Sequence, residues 1–171
     1  MKEVKVISNF LSDEDFISLS DLVLSDHFPW YWIKQATLEP TKHKKDSFLC
    51  HSIKYKDNIN SSFLDQIMQP FKKKLNYRKL LRAKLNLNFN QGKPIRSNFH
   101  TDFPELEREG KPYQTAIYYF ITCNGYTQFK EKKIKIKSIA NRLVWFPGEL
   151  PHRAVTQTDT NRRVGLNINF V

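Results

Sequence analysis

A chain of 171 residues has room for one domain with a proper core, and 40% hydrophobic with 26% charged residues excludes a disordered protein. No run approaches the roughly 18 apolar residues of a membrane helix, and two cysteines, Cys50 and Cys123, make no disulfide framework and read as buried thiols. The net charge of +11 keeps an acidic partner such as nucleic acid in view.

In chain order, residues 4–10 predict a strand leading into a helix. Ser12, with Asp15 three residues later, makes a capping-box-like start. Phe16, Leu19, Leu22 and Val23 then recur at helical spacing. Residues 30–33 and 48–55 read as strands, and Lys42 to Lys45 as a basic loop. A second helix is expected from near Asn60 to about Leu75, with Phe63, Leu64, Ile67, Met68, Phe71 and Leu75 in one stripe. Pro70 sits inside it as a candidate kink. Lys72, Lys73 and Lys74 would close its last turn, where cations complement the helix dipole. From Tyr77 onward strands dominate, at 79–89, 114–121, 127–129, 132–137, 142–145, 152–155 and 163–170. Lysines alternate from 133 to 137 like the outer face of an edge strand. Helices first and about seven strands after them predict an α+β chain with a mostly antiparallel double sheet, in one domain spanning 1–171.

Chemistry concentrates in the second half. His100 and Asp102 stand at i and i+2 on an extended segment, so their side chains share a face. His152 follows fifty residues later and can complete a set from a neighbouring strand. Two histidines and a carboxylate on one side of a metal leave positions open opposite, as in non-haem Fe(II) oxygenases. Arg163 opens the final strand and can meet a carboxylate through two parallel donors. His27, His43 and His51 have no carboxylate at ligand spacing and are read as surface or satisfied core histidines. Residues 103–113, rich in Glu and Gly, are read as a loop beside the metal.

From about Lys84 to Val171 the sequence resembles the Fe(II)/2-oxoglutarate-dependent dioxygenases, nearest to prolyl-4-hydroxylase-like members and the small versions carried by bacteriophages. The matching stretches are Asn98–Asp102, Thr115–Phe120, Asn124–Phe129, Asn141–Phe146, Pro151–His152 and Arg162–Phe170. The resemblance implies a double-stranded β-helix, or jelly roll, with the early helices bracing its major sheet. It implies that His100, Asp102 and His152 hold Fe(II). It also implies that Arg163 pairs with the distal carboxylate of 2-oxoglutarate and that Tyr119 bonds the same group, while Arg162 faces away. Where relatives commonly carry a Tyr this chain has Asn88, and where several carry Trp or Arg it has Asn169. With Asn86 and Asn167, these would line a more polar cosubstrate pocket, or stand on solvated strand faces.

The activity so implied is hydroxylation of a C–H bond by O2 and 2-oxoglutarate, with succinate and CO2 as coproducts and ascorbate as a reductant. Three readings remain open: a peptidyl or small-molecule hydroxylase, an oxygenase acting on nucleic acid, and a jelly-roll binding protein or hydrolase with the same triad. The N-terminus lacks an apolar signal core and the thiols suit a reducing compartment. The expected location is therefore the cytoplasm, that of the host if the chain is phage-encoded, with no membrane partner.

Overall fold

Alternation along two strands separates an apolar layer from a polar one. β5 (Leu80–Phe89) turns Ala83, Leu85 and Leu87 to one side and Arg82, Lys84, Asn86 and Asn88 to the other. β11 (Arg162–Phe170) does the same with Val164, Leu166 and Ile168 against Arg163, Gly165, Asn167 and Asn169. The two strands pair antiparallel, placing Arg163 opposite Asn88, Asn167 opposite Lys84 and Asn169 opposite Arg82. Both polar sets therefore fall on one face of one sheet.

The computed structural model describes residues 3–34, 47–131 and 134–171. Its major sheet adds β1 (Lys5–Ser8), β2 (Tyr31–Ile33), β3 (Phe48–Tyr55), β4 (Asn58–Ile59), β6 (Gln114–Tyr119) and β9 (Arg142–Pro147). These run in the order β1-β9-β6-β11-β5-β3-β2, with β4 beside β3, and every pairing is antiparallel. A second sheet of β7 (Tyr126–Phe129), β8 (Lys135–Lys137) and β10 (His152–Val155) has the order β10-β7-β8. This is the expected jelly-roll α+β architecture.

Helices α1 (Asp13–Val23) and α2 (Leu64–Leu75) cover the apolar face of the major sheet. Leu19, Val23, Ile67, Phe71 and Leu75 join Leu85, Leu166 and Ile168 in the principal core. Phe71 stacks on Phe10 at 5.8 Å and meets Tyr118 edge-on at 5.0 Å. A smaller core of Tyr119, Phe129, Val144, Phe146 and Leu150 fills the space beside the second sheet. The Ser12 Oγ caps α1 by accepting from the Asp15 amide at 3.2 Å, as its sequence predicts. Lys72, Lys73 and Lys74 do close the last turn of α2.

Three local expectations change. α2 begins at Leu64 rather than near Asn60, because the Ser61 hydroxyl is engaged by His51 Nε2 at 2.8 Å and by the Phe63 amide. Residues 103–113 hold a short helix, α3 (Pro104–Arg108), started by a proline whose fixed φ suits a first helical turn. The His100–Asp102 segment is no strand. It touches its neighbour through one isolated bridge, His100 with His152, and pairing stops before Pro104, which has no amide to donate.

The remaining histidines behave as read. His51 is satisfied by Ser61 and by the Pro29 carbonyl at 2.8 Å, and His27 is exposed. Cys50 and Cys123 are buried free thiols. Lys135 and Lys137 are exposed on β8, the edge of its sheet. The basic loop from Lys42 to Lys45, with His43, and Lys133 lie outside the described residues. Among the described residues no helix is long and apolar enough to cross a membrane.

One side chain locks the N-terminal segment to the sheet. Asn141 adopts a left-handed backbone, φ 56°. Its Oδ1 accepts from the Leu11 amide and the Tyr118 hydroxyl, each at 2.9 Å, and its Nδ2 donates to the Leu11 carbonyl at 3.0 Å. Asn141→Ala removes three buried hydrogen bonds worth about 1 kcal/mol each. Urea unfolding of the variant is expected to show a loss of roughly 2–3 kcal/mol.

Candidate metal centre

His100, Asp102 and His152 each offer one ligand atom, and these atoms all lie within 4.8 Å of one another. Reciprocal backbone hydrogen bonds of 3.0 Å between His100 and His152 clamp the two histidines side by side. Their rings sit 4.9 Å apart. The Nδ1 of His100 lies 3.1 Å from the Asn98 carbonyl, and that of His152 lies 3.1 Å from the Leu150 carbonyl. A carbonyl only accepts, so each Nδ1 carries the proton and each Nε2 keeps its lone pair for a metal. His100 Nε2 is 3.9 Å from Asp102 Oδ1, close enough for one ion to bind both.

Asp102 is 3% exposed and held from two sides. Arg82 Nη2 donates to Oδ1 at 2.5 Å. Asn169 Nδ2 donates to Oδ2 at 2.8 Å, and Asn167 Nδ2 does so at 3.2 Å. Asn169 also reaches Thr115 Oγ1 at 2.8 Å. Burial by itself raises a carboxyl's pKa. Here the Arg82 guanidinium, helped by the neighbouring histidines and the Asn169 hydrogen bond, outweighs it and holds Asp102 well below the usual carboxylate range. Burial pushes His152 down to about 4, so it stays neutral near pH 7. Imidazole lone pairs and an ionised carboxylate are the donor set that suits a first-row divalent metal.

The triad opens on a cavity of about 710 Å³, its mouth included. Lys84, Asn86, Asn88, Asn167 and Arg163 line it from the major sheet, and Thr127, Arg153 and Ala154 from the second. Arg163 is 6% exposed, and no ion pair joins it to an acid among the described residues. Its Nε has no hydrogen-bond partner, its Nη2 reaches Thr127 Oγ1 only at 3.5 Å, and its guanidinium lies 5.2 Å from the Tyr119 ring centre. Gly125 makes that placement possible, since a Cβ there would stand 2.9 Å from Arg163 Cδ. A buried guanidinium with spare donors is costly unless an anion meets it.

Of the residues marked in the sequence, His100, Asp102, His152, Arg163 and Asn88 share this cavity. Tyr119 is fully buried behind Arg163, and its hydroxyl donates to Thr127 Oγ1 at 2.7 Å. Asn169 is likewise buried and bonded to Asp102. Arg162 points to the other side of the sheet and donates to the Leu24 carbonyl at 2.9 Å. The sequence reading passed over Arg82 and Lys84. Their signal was parity: both stand at even positions with Asn86 and Asn88 on the strand read at 79–89.

No protein-family model matches this sequence, and no curated protein sequence matches it. Solved structures do match, in fold. A 2OG-Fe(II) oxygenase family oxidoreductase from Burkholderia pseudomallei aligns with TM-score 0.69 and 9% identity, over 98% of this chain and 84% of that one. A prolyl hydroxylase from Trichoplax adhaerens, in complex with a hypoxia inducible factor oxygen degradation domain peptide fragment, aligns at 0.65 and 17%, over 98% and 82%. The viral collagen prolyl hydroxylase of Paramecium Bursaria Chlorella virus-1, in its 2OG complex, aligns at 0.57 and 15%, over 98% and 96%. The fold is therefore that of the 2OG-Fe(II) oxygenases.

Acid should unfold the metal-free protein through His152. Its folded pKa of about 4 lies below the ordinary 6.5, so as pH falls the unfolded chain takes the proton first. The stabilisation is complete above pH 6.5 and declines as pH falls towards 4; below 3.8 protonation of Asp102 in the unfolded chain adds to the loss. Denaturation midpoints from pH 7 to 4 should fall for the wild type and fall less for His152→Gln.

Proposed function

We propose that the chain is an Fe(II)- and 2-oxoglutarate-dependent oxygenase that hydroxylates a C–H bond of a peptidyl or small-molecule substrate. The observation that carries this reading is a His/Asp/His cluster and an unpaired buried arginine in one cavity. Arg163 and Asn167 stand four residues apart on β11, about 13 Å along the strand. That separation leaves room for a short dicarboxylate between the Arg163 guanidinium and a metal beside Asp102. When bound, Fe(II) with 2-oxoglutarate and O2 supplies the oxidising chemistry, releasing succinate and CO2.

The chain's own residues do the rest. His100 and His152 present Nε2 because backbone carbonyls fix their tautomer. Asn169 and Asn167 hold the outer oxygen of Asp102, so the carboxylate enters the ligand set in one orientation. Arg163 receives the distal carboxylate of 2-oxoglutarate in a two-point contact. Tyr119 and Thr127 form the back wall that keeps its guanidinium in place. Asn88, directly opposite Arg163 on β5, is the remaining polar contact for the same cosubstrate. Asn169 and Tyr119 thus serve as supports behind the site, and Asn88 as part of its lining.

Calorimetry should find one Fe(II) per chain in the wild type and none retained by Asp102→Ala. Asn169→Ala should weaken iron roughly 10–100-fold, the usual effect of removing a partner of a metal ligand. Failure of Asp102→Ala to change iron affinity would remove this site from consideration.

A second prediction separates Arg163 from Arg162. Hydrogen bonds to charged groups are worth about 1.5–3 kcal/mol. Arg163→Ala should therefore raise the 2-oxoglutarate requirement for succinate release by roughly ten- to a hundredfold, at about 1.4 kcal/mol per decade. Iron binding should stay near wild type, and Arg162→Ala should leave the requirement unchanged. An effect of Arg162→Ala alone would place the cosubstrate on the wrong face of β11, and no effect of either would defeat the assignment.

A further inference from the structure

Lys84 stands out among the cations of the site: Arg82 bonds Asp102, Arg153 donates to Gln128 Oε1 and Arg163 is taken by the cosubstrate, whereas Lys84 meets a ring. It lines the same cavity as the triad, directly opposite Asn167 in the β5–β11 pairing. Its Nζ rests 5.4 Å from the centre of the Phe48 ring, and no ion pair joins it to an acid among the described residues. Burial, with the nearby Arg82 charge, pulls its ammonium below the usual lysine range. Arg82 differs, because its guanidinium is bonded to Asp102.

Charge counting leaves Arg82, Lys84 and Arg153 in excess in the loaded site, and of these Lys84 has the weakest partner. Under the function proposed above, the two charges of Fe(II) and that of Arg163 are matched by Asp102 and the two carboxylates of 2-oxoglutarate. Arg82 keeps its hydrogen bond to Asp102 and its place over the Phe103 ring. Lys84 retains only an aromatic face, a partner weaker than an anion. A partly desolvated ammonium left so is unfavourable, and a carboxylate beside it removes the penalty.

Two orphaned acceptors stand next to it. Asn167 Oδ1 and Asn86 Oδ1 are buried without a hydrogen-bond partner. The Asn167 amide cannot be turned round, because its Nδ2 donates to Asp102 and a flip would set oxygen against carboxylate. Both oxygens therefore call for a donor. 2-Oxoglutarate has no N–H or O–H when ionised, so it cannot answer them.

We infer that Lys84 is a specificity-determining residue for the substrate to be oxidised, which is a small acid whose carboxylate meets Lys84 and whose neighbouring N–H or O–H group meets Asn167 and Asn86. α-Amino acids and α-hydroxy acids share that chemistry. The inference rests on the oxygenase reading, and the experiment separates the two.

The protein loaded with Fe(II) and 2-oxoglutarate without oxygen is titrated calorimetrically with L-α-amino acids, L-α-hydroxy acids and the carboxamide of each. The tightest-binding acids should exceed their carboxamides by roughly tenfold or more, as for a charge-assisted contact. Lys84→Met should erase that preference and Lys84→Arg restore most of it, while both variants bind Fe(II) and 2-oxoglutarate near wild-type affinity. Amino acids binding while hydroxy acids do not, or the reverse, identifies which donor the asparagines read, and either supports the inference. If 2-oxoglutarate binds but no acid is preferred over its carboxamide, or the preference survives Lys84→Met, the inference falls and the oxygenase reading stands. If 2-oxoglutarate itself does not bind the iron-loaded wild type, both fall.

Discussion

The buried carboxylate of Asp102 constrains everything around it. An ionised group at 3% exposure has to be met by donors or it will not stay charged. Two strands supply them, Arg82 from β5 and Asn167 and Asn169 from β11, while the two histidines stand beside the carboxylate on the bridged segment and β10. Each donor needs its strand in one register. A slip of one residue on β11 would turn Asn167 and Asn169 towards the helices and put Ile168 against the carboxylate. The register that buries Leu166 and Ile168 under α1 and α2 is thus also the one that builds the site.

That coupling explains how the major sheet tolerates a charged interior face. Its other face supplies the continuous core, and the helices shield it from water. The inner face can then carry Arg82, Lys84, Arg163 and four asparagines, because the small core of Phe129, Phe146 and Leu150 closes only one part of the space between the sheets. The polar contacts there are linked to one another. Asn169 links Asp102 to Thr115 on β6, and Thr127 on the second sheet gathers both Tyr119 and Arg163. Polar groups so connected hold a single geometry before any ligand arrives, which is what a metal centre needs of its supports.

Much of this was legible in the sequence, for identifiable reasons. The strands from 79 onward carry period-two alternation, and the order of His100, Asp102, His152 and Arg163 matched a known constellation. The two-residue spacing in His100-Thr101-Asp102 put both side chains on one side, where the structure brings them together with His152, although the segment is held by one bridge and not by a strand. Asn169 was read towards the cosubstrate from its position on the final strand; its amide donates to Asp102, a partner that parity along a strand cannot name. Lys84 and Arg82 went unnoticed because cations on an alternating strand ordinarily face water. Only the placement of the second sheet shows that this side of β5 lies inside.

Arg82 and Lys84, two residues apart on one strand face, also show how neighbouring cations can take opposite parts. Arg82 has a planar fork and an acid within reach, so its charge is consumed in holding Asp102 ionised. Lys84 has a single flexible ammonium, lies under the repulsion of Arg82, and meets only a ring. Exchanging the two would not preserve the site, since a lysine at 82 could give Asp102 a point charge but no rigid direction. Rigidity therefore belongs to the cation that holds Asp102 and adaptability to the one left facing the cavity, which is the division an enzyme needs when its metal is constant and its substrate must enter and leave.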